Sequence, residues 1–198
     1  MVKLVVALGN PGSQYEKTRH NVGWMAMDHL SFASELRWKE KFKGLYSDHN
    51  IGGHKVYFLR PLTWMNLSGE SVAPMAHFFK ISPQEILVVY DEIDLALGTV
   101  RFKKGGGLAG HNGLKSTAQM LGGHDFKRLR LGISRPSGGD VSHWVLSPFG
   151  RGEESALQDM LERASQGIEY CLVHGFESAA SKFNGPHTMA SGPKGGES

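Results

Sequence analysis

Two uninterrupted apolar runs, residues 4–8 (Leu-Val-Val-Ala-Leu) and 86–90 (Ile-Leu-Val-Val-Tyr), constrain this chain more than any other feature. They are the longest in the sequence, and a membrane-crossing helix needs about 20 apolar residues. Short apolar runs bounded by turn signals read as strands buried inside a sheet. The first is closed by Gly9-Asn10-Pro11-Gly12. The second follows Ser82-Pro83-Gln84-Glu85, a capping Ser with Pro in the first turn and Glu three residues on, which predicts one helical turn. The run near Met1 is shorter than the roughly 7–15 residues of a secretory signal core. With a single cysteine, Cys171, the expectation is a cytoplasmic protein without disulfides and without a membrane segment.

Around these strands the spacing of apolar residues sets the rest. Val22, Met25, Met27, Leu30, Ala33 and Leu36 predict a helix over residues 21–36. Residues 45–50 and 55–59 flank Gly52-Gly53, a hairpin signal, and a helix starts near Ser68. Residues 99–103 form a strand, a glycine-rich loop follows, and a helix over residues 112–121 is closed by Gly122-Gly123. Residues 127–133 alternate, with Leu129, Leu131 and Ile133 on one face and Arg128 and Arg130 on the other. Residues 143–146 read as one more short strand. A long helix over residues 153–174 follows, which either covers a site or packs on the sheet. Strands alternating with helices, plus one hairpin, predict a single α/β domain over residues 1–183, a mixed sheet with helices packed around it. Residues 184–198, without periodicity, read as a disordered tail. With 198 residues the chain buries a sizeable core in one domain. Its net charge of +3, from 22 Lys+Arg and 19 Asp+Glu, permits a polyanionic partner without demanding one.

The chemistry-bearing residues lie where strands end. Gly105, Gly107 and Gly110 formally satisfy a phosphate-cradling pattern, yet the acidic residue that a dinucleotide needs about 20 positions on is missing. The ten histidines show no metal-ligand spacing. His20 stands out because the segment that carries it runs from a strand end to a helix start. Alone it would ordinarily be structural. Asp91, at the tip of the second apolar run, gives it a carboxylate that fixes a tautomer and favours a general base. Asn10, Asn66 and Asn112 also sit at element ends. Each suits a turn or cap, and each equally offers an uncharged donor and acceptor to a peptide or an oxyanion. Lys103, Lys104, Arg128 and Arg130 gather near the glycine loop, and on their own such charges describe a solvated face.

Taken in order, Gly9-Asn10-Pro11-Gly12 with Tyr15 and Thr18-Arg19-His20-Asn21, Met65-Asn66-Leu67-Ser68-Gly69, Asp91-Glu92 with Asp94-Leu95, Gly105-Gly106-Gly107 through Gly110-His111-Asn112-Gly113-Leu114, and Arg128-Leu129-Arg130-Leu131-Gly132-Ile133 resemble the bacterial-type peptidyl-tRNA hydrolases. The resemblance covers residues 3–183. It implies a monomeric α/β enzyme that hydrolyses the ester between a peptide and tRNA, with no metal or organic cofactor. Carried over position by position, it implies that His20 activates water and Asp91 orients it. Asn112 would hold the water or the oxyanion, Asn10 and Asn66 the peptide backbone beside Met65, and Tyr15 would lie near the tRNA 3′ end. Lys103 and Arg130 would meet the terminal phosphate. Tyr90 and Leu108 stand where many members have His, which bears on the tRNA or entrance surface. No G-x-S-x-G elbow surrounds Ser13, Ser68 or Ser116, so attack by water is expected. The competing expectations are a noncatalytic RNA-binding module built on the basic strand and a nucleotide-dependent enzyme built on the glycine loop.

Overall fold

The computed structural model describes residues 1–185. Seven strands form one sheet: β1 (Leu4–Ala7), β2 (Lys39–Lys41), β3 (Gly44–Ile51), β4 (His54–Pro61), β5 (Ile86–Glu92), β6 (Val100–Lys104) and β7 (Lys127–Gly132). Their order is β2-β3-β4-β1-β5-β7-β6. The central four run parallel, while β2, β3 and β6 are antiparallel to their neighbours. The sheet is therefore mixed. The helices are α1 (Val22–Asp28), α2 (Gly69–Phe78), α3 (Asn112–Leu121), α4 (Val141–Val145), α5 (Glu154–His174) and α6 (Phe176–Phe183).

The apolar runs are uninterrupted because both faces of the sheet are covered. Val5, Ala7, Leu87 and Val89 join one core with residues of α1, α5 and α6. Leu4, Val6, Leu8, Ile86 and Val88 join a second core with residues of α2 and α3. The long helix α5 belongs to the first of these: Met160, Leu161, Ala164, Ile168 and Cys171 are all buried against the sheet. It packs rather than covers. The capping box at Ser82 forms as expected, with the Ser82 N–H donating to Glu85 Oε2 at 3.0 Å.

Several sequence expectations need correction. The helix expected over residues 21–36 stops at Asp28, because the Ser31 N–H donates to Glu169 Oε1 on α5 (2.7 Å) instead of continuing the helical ladder. Leu30 and Leu36 remain buried without helical backbone. Residues 143–146 are not a strand. Asp140 accepts the Ser142 N–H at 3.0 Å and caps the five-residue helix α4. Residues 39–41, which the sequence assigns to no element, form the edge strand β2. Arg128 is not on a solvated face. It is fully buried, and its guanidinium donates to the carbonyls of Gly107 (2.7 Å) and Gly106 (2.8 Å). At the C-terminal end, the Asn184 amide accepts from the Phe102 N–H (2.7 Å) and donates to the Phe102 carbonyl (2.9 Å) on β6. The tail expected over residues 184–198 lies, from residue 186 onward, outside the described residues.

Helices α2 and α3 cross at Gly69, whose N–H donates to Ser116 Oγ at 2.9 Å. A Cβ on Gly69 would lie 2.2 Å from the Ser116 carbonyl oxygen. Backbone cannot retreat as a flexible side chain would, so Gly69→Ala should destabilise the protein by about 2 kcal/mol. Nothing lies within 4 Å of a Cβ added at Gly123. Urea unfolding of the two variants checks this: the Gly69→Ala midpoint falls and the Gly123→Ala midpoint stays near wild type.

Candidate active site

Strand order reverses around β1, which has β4 on one side and β5 on the other. A crevice opens at the carboxyl ends of parallel strands at such a switch point, and the segments following β1, β4 and β5 meet there. From β5 comes Asp91, 2% exposed. From β1 the chain turns through Gly9-Asn10-Pro11-Gly12 into the 3-10 turn Arg19–Asn21, which carries His20. After β4 comes a second 3-10 turn, Met65–Leu67, with Asn66 at its centre.

The centre of the site is one carboxylate held by two imidazoles. His20 Nδ1 lies 2.9 Å from Asp91 Oδ1 and 3.0 Å from Oδ2, and His111 Nε2 lies 2.9 Å from Oδ1. At His111 the roles are fixed from both ends. Its Nδ1 accepts the N–H groups of Gly113 (3.1 Å) and Leu114 (3.3 Å), so Nε2 carries the proton given to Asp91. At His20 the Nδ1–H donates to Asp91, which leaves the Nε2 lone pair available. Burial opposes charging of His20, but the Asp91 charge and hydrogen bond outweigh it and raise its pKa above the ordinary 6.5. Burial likewise opposes ionisation of Asp91, and the two imidazoles outweigh it, holding the carboxyl well below the usual range.

The uncharged groups are placed as firmly. The Asn10 N–H donates to Asn21 Oδ1 and Asn21 Nδ2 donates back to the Asn10 carbonyl, both at 2.9 Å. This locks the loop after β1 to the turn that carries His20. Asn10 Oδ1 accepts the Met65 N–H at 2.8 Å, which assigns the amide orientation and leaves Nδ2 as the outward group. Gly113 permits the close approach of α3, because a Cβ there would lie 2.5 Å from Met65 Sδ.

Two hollows share His20, Asn112, Ser142 and Val145. One, of about 210 Å³, reaches back to Asp91, Glu92 and His111. The other, of about 330 Å³, is lined by Asn10, Tyr15, Trp64, Met65 and Asn66. Helix α4 forms the wall common to both. Tyr15 meets Trp64 edge to face, with ring centroids 5.8 Å apart. The structure thus brings His20, Asp91, Asn10, Tyr15, Met65, Asn66 and Asn112 together. It does not bring Lys103 or Arg130 into either hollow. Arg130 Nε donates to Glu92 Oε2 at 3.2 Å, and Lys103 lies over Gly106 on the neighbouring edge strand.

Tyr90 is buried behind the site rather than at an entrance. Its hydroxyl donates to Glu92 Oε2 (3.4 Å), and its ring meets His111 edge to face. Burial, reinforced by Glu92, pushes its pKa up to about 12. Leu108 packs against the α2 and α3 core. His111, Asn21 and Glu92 carry structural roles that the sequence does not announce. The signal for His111 was its position at the start of α3, where an imidazole replaces the usual Ser, Thr, Asp or Asn cap.

His20, Asp91 and His111 hold donor atoms within 4.8 Å of one another, the arrangement of a possible metal cluster. Their hydrogen-bond roles do not fit one. A cation would have to displace the His111 Nε2 proton while Nδ1 still receives two backbone N–H groups, which demands an anionic imidazolate.

The family model described as peptidyl-tRNA hydrolase matches residues 4–191. Among curated relatives, the peptidyl-tRNA hydrolase of Listeria innocua is 41% identical over 184 residues, covering 92% of this chain and 100% of the relative. That of Shouchella clausii is 44% identical over 185 residues, with the same coverage. A crystal structure of the peptidyl-tRNA hydrolase from Acinetobacter baumannii superposes with a TM-score of 0.84 at 38% identity, covering 92% of this chain and 94% of that one. Another, of a peptidyl-tRNA hydrolase in complex with N-propanol, gives 0.88 at 38% identity, covering 95% and 97%. Similarity over more than nine-tenths of the chain, in sequence and in fold alike, means that this chain belongs to the peptidyl-tRNA hydrolase family.

Proposed function

We propose that His20 is the general base with which this chain hydrolyses the ester between a peptide and the 3′ ribose of tRNA, the reaction of its family, releasing tRNA for reuse. The observation that carries the assignment is the commitment of His20 Nδ1 to Asp91, which leaves Nε2 as an oriented base at the junction of the two hollows. Nε2 takes a proton from water as the water attacks the ester carbonyl, the imidazolium that forms is stabilised by the buried Asp91 carboxylate, and the acyl C–O bond then breaks as that proton passes to the departing 3′ ribose oxygen. Asn112, at the same junction, holds the water or the developing oxyanion. Asn10 has spent its oxygen on Met65, so it serves the peptide as a donor toward a carbonyl. Asn66 and Met65 line the peptide side with it, and Tyr15 the tRNA 3′ side. Lys103 and Arg130 meet the terminal phosphate from outside the hollows.

On this reading the protein works in the cytoplasm as a monomer, without metal or organic cofactor. Among the described residues no helix is long and apolar enough to cross a membrane. A binding-only module has no use for a buried His–Asp–His arrangement, and no observation favours it.

Asn10, Asn66 and Asn112 line the peptide-side hollow and no carboxylate is among its described lining residues, so an N-blocked aminoacyl group is accepted and a free ammonium is rejected, because burying it without a counter-charge is costly. Wild-type protein should release N-acetyl-aminoacyl groups from tRNA and spare free aminoacyl-tRNA, while His20→Ala loses about 10²–10⁴-fold in rate. Equal release by both proteins would remove His20 from the mechanism. Since the protonated imidazole cannot act as a base, kcat/KM should rise with pH through an inflection above 6.5. Asp91→Asn removes the charge that raises it, so its inflection moves down in pH and its rate falls at every pH. Binding of uncharged tRNA should weaken with salt, and Lys103→Gln should reduce the log–log slope by about one. A slope equal to wild type would take Lys103 out of the phosphate contact.

A further inference from the structure

Arg19 immediately precedes the proposed base and is only 3% exposed. Arginine is rarely buried without partners, so the direction of its donors is informative. Nη2 donates to Glu153 Oε2 at 2.6 Å. Nη1 donates to the Pro148 carbonyl and lies 3.4 Å from Ser147 Oγ. The guanidinium carbon sits 3.6 Å from the ring centroid of Trp144 and 4.9 Å from that of Phe149. The backbone joins in: the Arg19 N–H donates to the Ser147 carbonyl at 3.0 Å, and Thr18 forms an antiparallel bridge with Pro148.

Every one of these partners lies in residues 144–153, the segment that runs from α4 to α5. Helix α4 walls both hollows, yet none of its residues is buried. Of its residues only Trp144 and Val145 pack against the first core, and both stay partly exposed. At its C-terminal end it is held by Arg19 and by the Trp144 Nε1–H, which donates to the Ser134 carbonyl at 2.8 Å. The 3-10 turn Arg19–Asn21 is therefore gripped through three successive side chains. Arg19 binds the wall, His20 binds Asp91 and Asn21 binds the Asn10 loop.

We propose that Arg19 is a positioning residue that ties the α4 wall to the turn bearing His20, so that seating the wall over the substrate and aiming Nε2 at the water are a single event. This rests on His20 being the base, as proposed above. The residue type suits the task, because a planar guanidinium stacks on Trp144 while its edge donates to Glu153 and Pro148. An ammonium cannot do both.

The test compares wild type with Arg19→Met, Arg19→Lys and Trp144→Leu in the hydrolysis of N-acetyl-aminoacyl-tRNA. It also measures Kd for uncharged tRNA, Tm, and the downfield proton NMR signal of the His20 Nδ1–H bonded to Asp91. Arg19→Met and Trp144→Leu should each lower kcat by about 10- to 100-fold, the usual consequence of a misplaced catalytic group. Kd for uncharged tRNA should stay near the wild-type value, and the imidazole signal should shift. Arg19→Lys should recover only part of the loss. The double variant Arg19→Met/Trp144→Leu should be no slower than the slower single variant, because both open the same clasp. A lower Tm with kcat per folded molecule and the proton signal unchanged would make Arg19 merely structural and overturn the proposal. Multiplying losses in the double variant would overturn it as well. If Arg19→Met does not fold, Trp144→Leu, whose ring is only partly buried, carries the same comparison. Failure of the wild type to cleave, read before any variant is assayed, would refute the role of His20 instead.

Discussion

The arrangement depends on one buried carboxylate. Asp91 is 2% exposed, and a carboxylate at such depth without partners costs several kcal/mol. Both imidazoles near it turn a protonated nitrogen inward to meet that demand, and each then has only its other nitrogen to spend. His111 spends its Nδ1 on the first N–H groups of α3, so the same carboxylate that orients His20 also seats a helix. His20 spends its second nitrogen on no group among the described residues. The difference between the two histidines lies in what the chain offers the outer nitrogen: a helix start for one, a hollow for the other.

Asp91 stands at that depth because of the strand that precedes it. β5 is covered on both faces and paired on both edges, so its last residues are delivered to the crevice with little freedom. Its neighbour β1 delivers Asn10 in the same way, and β4 delivers the Met65 turn. Three adjacent strands thus aim three loops at one point. The loops are then joined by side chains: Asn21 to Asn10, Asn10 to Met65, His20 to Asp91. The first closes the long connection after β1 on itself, the second ties that connection to the turn after β4, and the third ties it to the tip of β5.

That division explains what the sequence made legible. β1, β5 and α3 were readable because double-sided burial, capping and glycine stops are written locally. His20 and Asp91 were readable because strand ends can be located and their chemistry is complementary. What failed was decided at a distance. Helix α1 stops early because Glu169, 138 residues away, takes the Ser31 N–H. Helix α4 looked like a strand because its stability comes from the Asp140 cap and from the contacts of Trp144 with Arg19 and Ser134. Arg128 alternates with leucines as a solvated residue would, and only the folded glycine loop reveals that its charge is covered by carbonyls. His111 was obscured because its cap position serves α3 and Asp91 at once.

The chemistry asks for no more apparatus than this. An ester expels a ribose oxygen, a far better leaving group than an amine, so one base and a polar cradle can suffice without a covalent intermediate. General-base assistance supplies roughly 10²–10⁴-fold, and one well-placed donor to an oxyanion on the order of 3 kcal/mol. Discrimination follows from the same economy of groups. On the proposed assignment Asn10, its side-chain oxygen taken by Met65, presents N–H donors that suit a carbonyl and not an ammonium, whose own N–H groups would meet N–H groups. A second uncharged amide can satisfy either partner, but a donor held in one orientation by the Met65 backbone cannot turn to accept. With Asn10 on the peptide side, as proposed above, selectivity for a blocked amine follows from the backbone N–H of Met65 that claims the other end of its amide.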